Sequence, residues 1–82
     1  MTSVEHRVIR IVARAAMVTE GSVTPETRLE DLDMDSLEQI ECALAVEESF
    51  QVELGDPQVW RFRTVRDVID AVQRARDTSP GR

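Results

Sequence analysis

Apolar residues recur at helical spacing along most of this chain, and no stretch of it reads convincingly as a strand. Val4, Val8, Ile11, Val12 and Ala15 return every three or four residues, as they must to share one face of a 3.6-residue helix. Val65, Val68, Ile69 and Val72 repeat the pattern near the other end, and a third helical segment runs from about Ser36 to Phe50. Thr2 with Glu5, and Thr64 with Asp67, have the three-residue spacing of a capping box at the first and last of these helices. Asp56-Pro57 supplies an N-cap and a first-turn proline for a short helix through Val59, Trp60 and Phe62. The expected fold is all-α: a small four-helix bundle of three main helices and one short one.

A long loop separates the first two helices, from about Val18 to Asp35, with Gly21, Ser22 and the run TPET as turn material. Connections beyond about 12–15 residues are uncommon inside a compact domain and are often functional. Val23, Leu29 and Leu32 are spaced to pin this one to the core. The closing RDTSPGR reads as tail, so residues 1–76 are expected to form one domain and residues 77–82 a flexible end.

A domain of 82 residues buries a modest share of its surface and has little stability to spare. Cys42 is the single cysteine, so no internal disulfide can add to that stability. Its isolation fits a reducing compartment. No apolar run approaches the roughly 20 residues of a membrane span. The opening MTSVEHRVIRIVARAA lacks the uninterrupted apolar core of a secretion signal. A soluble, cytoplasmic monomer is expected.

The net charge of −6 is unevenly placed. Residues 20–56 hold twelve acids and one base, Arg28, a local balance of −11, while both flanks are net positive. A block this acidic repels nucleic acid and anionic membrane and favours partners with basic patches. Within it, the segment from Ser36 carries two apolar stripes. Cys42, Ala43, Val46 and Phe50 gather on one side of the helix, and Leu37, Ile40 and Leu44 on another, bordered by Glu41, Glu47 and Glu48. One stripe suffices for the core of a small bundle. The second, beside carboxylates that must stay in water, is expected to be exposed as a docking surface unless the preceding loop covers it.

The stretch LEDLDMDSLEQIE, residues 29–41, permits three chemistries. A calcium loop starting at Asp31 would have Asp33 and Asp35 as its third and fifth residues, but it needs glycine sixth and glutamate twelfth, where Ser36 and Cys42 stand. No metal site is therefore expected. A hydrolytic serine needs a base and an oxyanion hole. The chain has one histidine, His6, some thirty residues away, and no G-x-S-x-G elbow. Cys42 falls on the core face, where it acts as a small inert hydrophobe. No catalytic residue is expected. What remains is a helix start. Ser36 with Gln39 fits a capping box, yet Asp35 caps equally well, which would leave the Ser36 hydroxyl projecting. A phosphate ester there would lie near the helix's positive end and its free N–H groups.

The run DSLEQIECALAVEESFQVEL resembles the prosthetic-group segment of acyl carrier proteins, in which Asp-Ser-Leu opens an acidic amphipathic helix ending in Glu-Glu-x-Phe. The resemblance extends back through VTPETRLEDL and forward to TVRDVIDAV. It implies that Ser36 receives 4′-phosphopantetheine from coenzyme A, through a phosphopantetheinyl transferase and magnesium, with Asp35 and Leu37 flanking it. It further implies that Leu37, Glu38, Ile40, Glu41, Leu44, Glu47 and Glu48 form the surface read by acyl-transferring and acyl-modifying enzymes with basic docking patches. The chain would then hold acyl intermediates as thioesters for fatty-acid, polyketide or specialised lipid synthesis, and not be an enzyme itself. Two features depart from the family's pattern: Asp33 stands where glycine is usual, and VWRFR, with Trp60, Arg61 and Arg63, replaces a commonly acidic region. A peptidyl or aminoacyl carrier is the nearest rival, although such carriers usually have two glycines before the motif and are less acidic. An acidic helical interaction module, with Ser36 only a cap, is the rival from another class.

Overall fold

The computed structural model describes residues 3–55 and 62–77. Three α-helices carry it: α1 (Val4–Ala16), α2 (Ser36–Phe50) and α3 (Val65–Asp77). Two short 3₁₀ turns, Glu20–Ser22 and Leu29–Leu32, lie in the connection between α1 and α2, and no strand occurs among the described residues. The fold is all-helical, as expected. The short helix expected from Asp56 falls almost wholly on residues outside those described. Helix α3 continues through Asp77, and the rest of the expected tail likewise lies outside.

The start of α1 differs from its expected form. Ser3, not Thr2, is the N-cap: its backbone is extended, and its hydroxyl oxygen accepts the His6 N–H at 3.0 Å. Thr2, on which the expected box with Glu5 begins, lies outside the described residues, and periodicity fixes a helix more closely than its first turn. Helix α1 packs against α2, α3 and the first 3₁₀ turn. Val8 and Val12 are fully buried, and Ala13 joins them where the spacing had pointed to Ala15, which is half-buried. The core continues with Cys42, Ala43 and Val46 of α2 and Val65, Val68, Ile69 and Val72 of α3. These are small and β-branched side chains, and each fully buried valine or isoleucine contributes about 1.5–3 kcal/mol. Phe50 is half-buried against this core, with the Arg7 guanidinium 4.2 Å from its ring centre. The same guanidinium donates to the backbone and side-chain oxygens of Ser49 at 2.8 and 2.9 Å, fastening α1 to the end of α2.

The long connection is held at both of the levels available to it. Val23 and Leu29 are buried and Leu32 is half-buried, as expected, and Met34 adds a fourth anchor just before α2. Its backbone also binds α3. The Val65 and Arg66 N–H groups donate to the carbonyls of Thr27 (3.0 Å) and Pro25 (2.8 Å), and the Leu29 N–H donates to the Arg63 carbonyl at 2.8 Å. Arg28 and Thr64 pair there in antiparallel fashion. The first N–H groups of a helix have no intrahelical acceptor; at α3 the loop provides one. The Thr64–Asp67 capping box expected from the sequence completes that end. Asp67 Oδ2 accepts the Thr64 N–H at 3.2 Å and Thr64 Oγ1 accepts the Asp67 N–H at 3.3 Å.

Candidate functional site at the start of α2

Helix α2 begins with a complete capping box formed by Asp35 and Glu38. Asp35 Oδ1 accepts the Glu38 N–H at 2.7 Å, and Glu38 Oε1 accepts the Asp35 N–H at 3.0 Å. The competition between Asp35 and Ser36 is thus settled for Asp35. Gln39, the other half of the alternative box, donates its amide to the Met34 carbonyl at 3.1 Å instead. Ser36 becomes the first helical residue, exposed, with its hydroxyl making no hydrogen bond to another described residue.

The chain is held firmly on both sides of that hydroxyl. Two residues before it, Met34 is buried; six and seven residues after it, Cys42 and Ala43 are buried. Asp33, one residue before Met34, closes the second 3₁₀ turn with a left-handed backbone, φ 58°. This conformation accounts for the glycine usual at that place in similar chains. Aspartate is among the few other residues that enter the left-handed region readily, so the departure leaves the turn intact.

A phosphodiester at Ser36 Oγ fits these surroundings. The N–H groups of Ser36 and Leu37 have no acceptor among the described residues, while that of Gln39 is already bonded to the Asp35 carbonyl at 2.9 Å. Two open donors lie at the positive end of a 15-residue helix, of which Ser36 is the first residue. The nearest carboxylates, Asp35 and Glu38, are engaged with backbone N–H groups, which offsets part of their repulsion of an anion.

The remainder of α2 divides as its two stripes predict. Cys42, Ala43 and Val46 face the core, while Leu37 is 62% and Leu44 48% exposed, with Ile40 half-buried beside them. The loop therefore does not cover the second stripe. The acids around it are not equivalent. Glu38 serves the cap, and Glu47, half-buried, accepts the Leu54 N–H through Oε2 at 2.6 Å, tying down the chain that leaves the helix. Glu41 and Glu48 are exposed and form no ion pair among the described residues. Helical spacing alone gives no signal for that distinction, since Glu47 and Glu48 are adjacent in sequence.

The other candidate chemical groups lie apart from this arrangement. Burial pushes the Cys42 thiol up to about 11, so at neutral pH it stays protonated and unreactive. His6 is exposed on α1, 3.8 Å from Glu20. No cluster of three or more metal-ligating side chains occurs among the described residues, and no helix there is long and apolar enough to cross a membrane.

The family profile described as the phosphopantetheine attachment site matches residues 6–72, which include the loop, all of α2 and most of α3. The chain belongs to this family of carrier domains. It is a carrier and not an enzyme, and the group such domains carry is covalently attached 4′-phosphopantetheine.

Proposed function

We propose that this protein is an acyl carrier protein whose 4′-phosphopantetheine arm is attached at Ser36. The observation that carries the assignment is the exposed Ser36 hydroxyl, released from capping by the Asp35–Glu38 box and set beside open backbone donors. In the loading reaction Ser36 Oγ bonds to the phosphorus that bears the pantetheine in coenzyme A. The pyrophosphate P–O bond breaks, adenosine 3′,5′-bisphosphate leaves, and the serine proton passes to a base on the transferase. When bound, the group supplies a thiol on which acyl chains ride as thioesters. The protein's own part is to hold the attachment point rigidly and to offer partners an address.

That address is the exposed stripe of α2. Leu37, Ile40 and Leu44 supply a small apolar centre, and Glu41 and Glu48 the charge that meets a basic patch on the transferase or on an acyl-handling enzyme. The −11 balance of residues 20–56 supports the same polarity of recognition over longer range. Acyl rather than peptidyl cargo is favoured by that acidity and by MDSLEQ in place of a double glycine.

Intact-mass measurement after incubation with coenzyme A, magnesium and a carrier-protein transferase tests the assignment. The wild type should gain one phosphopantetheine and Ser36→Ala none; a modified Ser36→Ala protein overturns it. Thiol titration gives a second reading, because the unmodified protein offers only buried Cys42, whereas the modified one should show a single fast-reacting sulfhydryl.

A further inference from the structure

Beside the start of α2 lies a cleft of about 450 Å³ lined by Arg28, Leu29, Glu30, Gln39, Phe62 and Arg63. Gln39 is three residues beyond Ser36, so the two share a side of the helix within about one 5.4 Å turn. A tether fixed at Ser36 and longer than one turn therefore reaches the cleft. Buried Leu29 and half-buried Phe62 supply its apolar part, and two guanidinium groups, the Glu30 carboxylate and the Gln39 amide complete its lining. These two arginines come from distant parts of the sequence and are joined by backbone contacts, through the Arg28–Thr64 pairing and the Leu29 N–H bonded to the Arg63 carbonyl.

Their placement runs against the charge around them. Arg28 is the only base in residues 20–56, and Arg63 belongs to the run that departs from the family's acidic pattern. A carboxylate brought into the cleft meets Glu30, with Asp31, Asp33, Asp35 and Glu38 nearby, and a local cation offsets that repulsion. Both arginines are exposed. Arg28 pairs with Glu30 at 2.9 Å, but both side chains are more than 60% exposed, and such surface pairs exchange at little cost. The Arg63 guanidinium forms no ion pair with another described residue; its charge acts at longer range on Asp67, and its backbone holds the loop and the cap.

We infer that this cleft selects the cargo: Arg63, with Arg28, receives a carboxylate at the far end of an acyl group, as in a dicarboxylic half-thioester, in preference to a plain aliphatic chain. Leu29 and Phe62 take the intervening carbons, and Arg63 is a specificity-determining residue with no part in loading. This rests on attachment at Ser36, and the test separates the two.

The carrier is loaded by the transferase from coenzyme A, acetyl-coenzyme A and malonyl-coenzyme A in parallel, with loading verified by intact mass. Two-dimensional ¹H–¹⁵N spectra, including the arginine Nε–H signals, are then compared. The malonyl form should shift the Arg63 Nε–H and the Leu29 amide relative to both the acetyl form and the arm alone. Arg63→Gln should load equally well and lose that malonyl-specific shift, Arg28→Gln should reduce it, and 1 M salt should weaken it. Identical acetyl and malonyl spectra overturn the inference. So does an equal Arg63 shift with the arm alone, which would mean that the guanidinium answers to the phosphodiester, and so does a malonyl-specific shift that survives in Arg63→Gln. Failure of the wild type to load at all would appear in the mass spectrum and would overturn the attachment at Ser36, and this inference with it.

Discussion

Helices α2 and α3 open with the same device and put it to different use. Each has a reciprocal capping box, Asp35–Glu38 in one and Thr64–Asp67 in the other. At α3 the loop carbonyls of Thr27 and Pro25 take the next two N–H groups, Val65 and Arg66, so that end of the helix is closed by the protein itself. At α2 the equivalent donors, Ser36 and Leu37, have no acceptor among the described residues and lie beside an exposed hydroxyl. The two helices differ in the same sense along their length. Helix α3 commits its apolar residues Val65, Val68, Ile69 and Val72 to the core, while α2 commits one stripe and leaves Leu37 and Leu44 in solvent. A helix whose donors and apolar faces are all satisfied internally holds the fold together. One that keeps some of each unsatisfied has what the proposed attachment and docking require.

The largest expected effect separates the two helices by stability. Ile69→Ala should cost about 2–5 kcal/mol, whereas Leu44→Ala should stay within roughly 0.5 kcal/mol. Urea unfolding of both variants measures this, and comparable losses would mean that the α2 stripe is core after all.

The next effect concerns docking and reverses the ranking. Glu41→Lys and Glu48→Lys should each slow phosphopantetheine loading by roughly tenfold at low ionic strength, with the deficit shrinking as salt is added. Leu37→Ala and Ile40→Ala should slow it with a weaker salt dependence, because a desolvated apolar contact acts mainly on dissociation. Arg63→Glu, before α3, should load at close to the wild-type rate. Initial rates across a salt series decide the matter; if Arg63→Glu is the more impaired, α2 is not the address.

Removing a cap should matter less. Asp35→Ala loses half of its box and should cost about 1 kcal/mol, while Ser36→Ala, which removes a hydroxyl outside the box, should leave the melting temperature nearly unchanged. A large loss in Ser36→Ala would show that the serine also has a structural task.

The smallest effect is a pH dependence at the start of α3. The backbone N–H groups of Arg63 and Thr64 donate to Asp67 and hold its carboxyl below the usual range. A depressed carboxyl contributes stability that is present above its unfolded value, about 3.9, and is lost as pH falls through the folded one. Asp67→Asn should therefore reduce the stability lost on acidification below pH 4. An unchanged acid titration of stability in that variant would show that the cap carries no such linkage.

Much of this was legible in the sequence because helical periodicity is local. Three helices, the two stripes of α2, the Thr64–Asp67 cap and the Asp-Ser-Leu triplet all lie within a few turns of chain, where spacing maps directly onto a face. The first cap was misplaced by one residue, since Thr2 and Ser3 carry the same signal. Glu38 and Glu47 also hold backbone N–H groups, a task for which nothing in their spacing gives a signal.

What the sequence determined by itself, then, is which segments are helical, which faces are apolar, and that a serine stands at an acidic helix start. Tertiary structure decided which of two neighbouring side chains caps that start, that the loop closes α3 and leaves α2 open, and that Arg28 and Arg63 share one cleft. The reason is physical. Capping follows from the direction in which the chain enters the helix, which Asp33 and the buried Met34 set. The meeting of Arg28 and Arg63 depends on backbone bonds across some 35 residues, for which no periodicity in the sequence carries a signal.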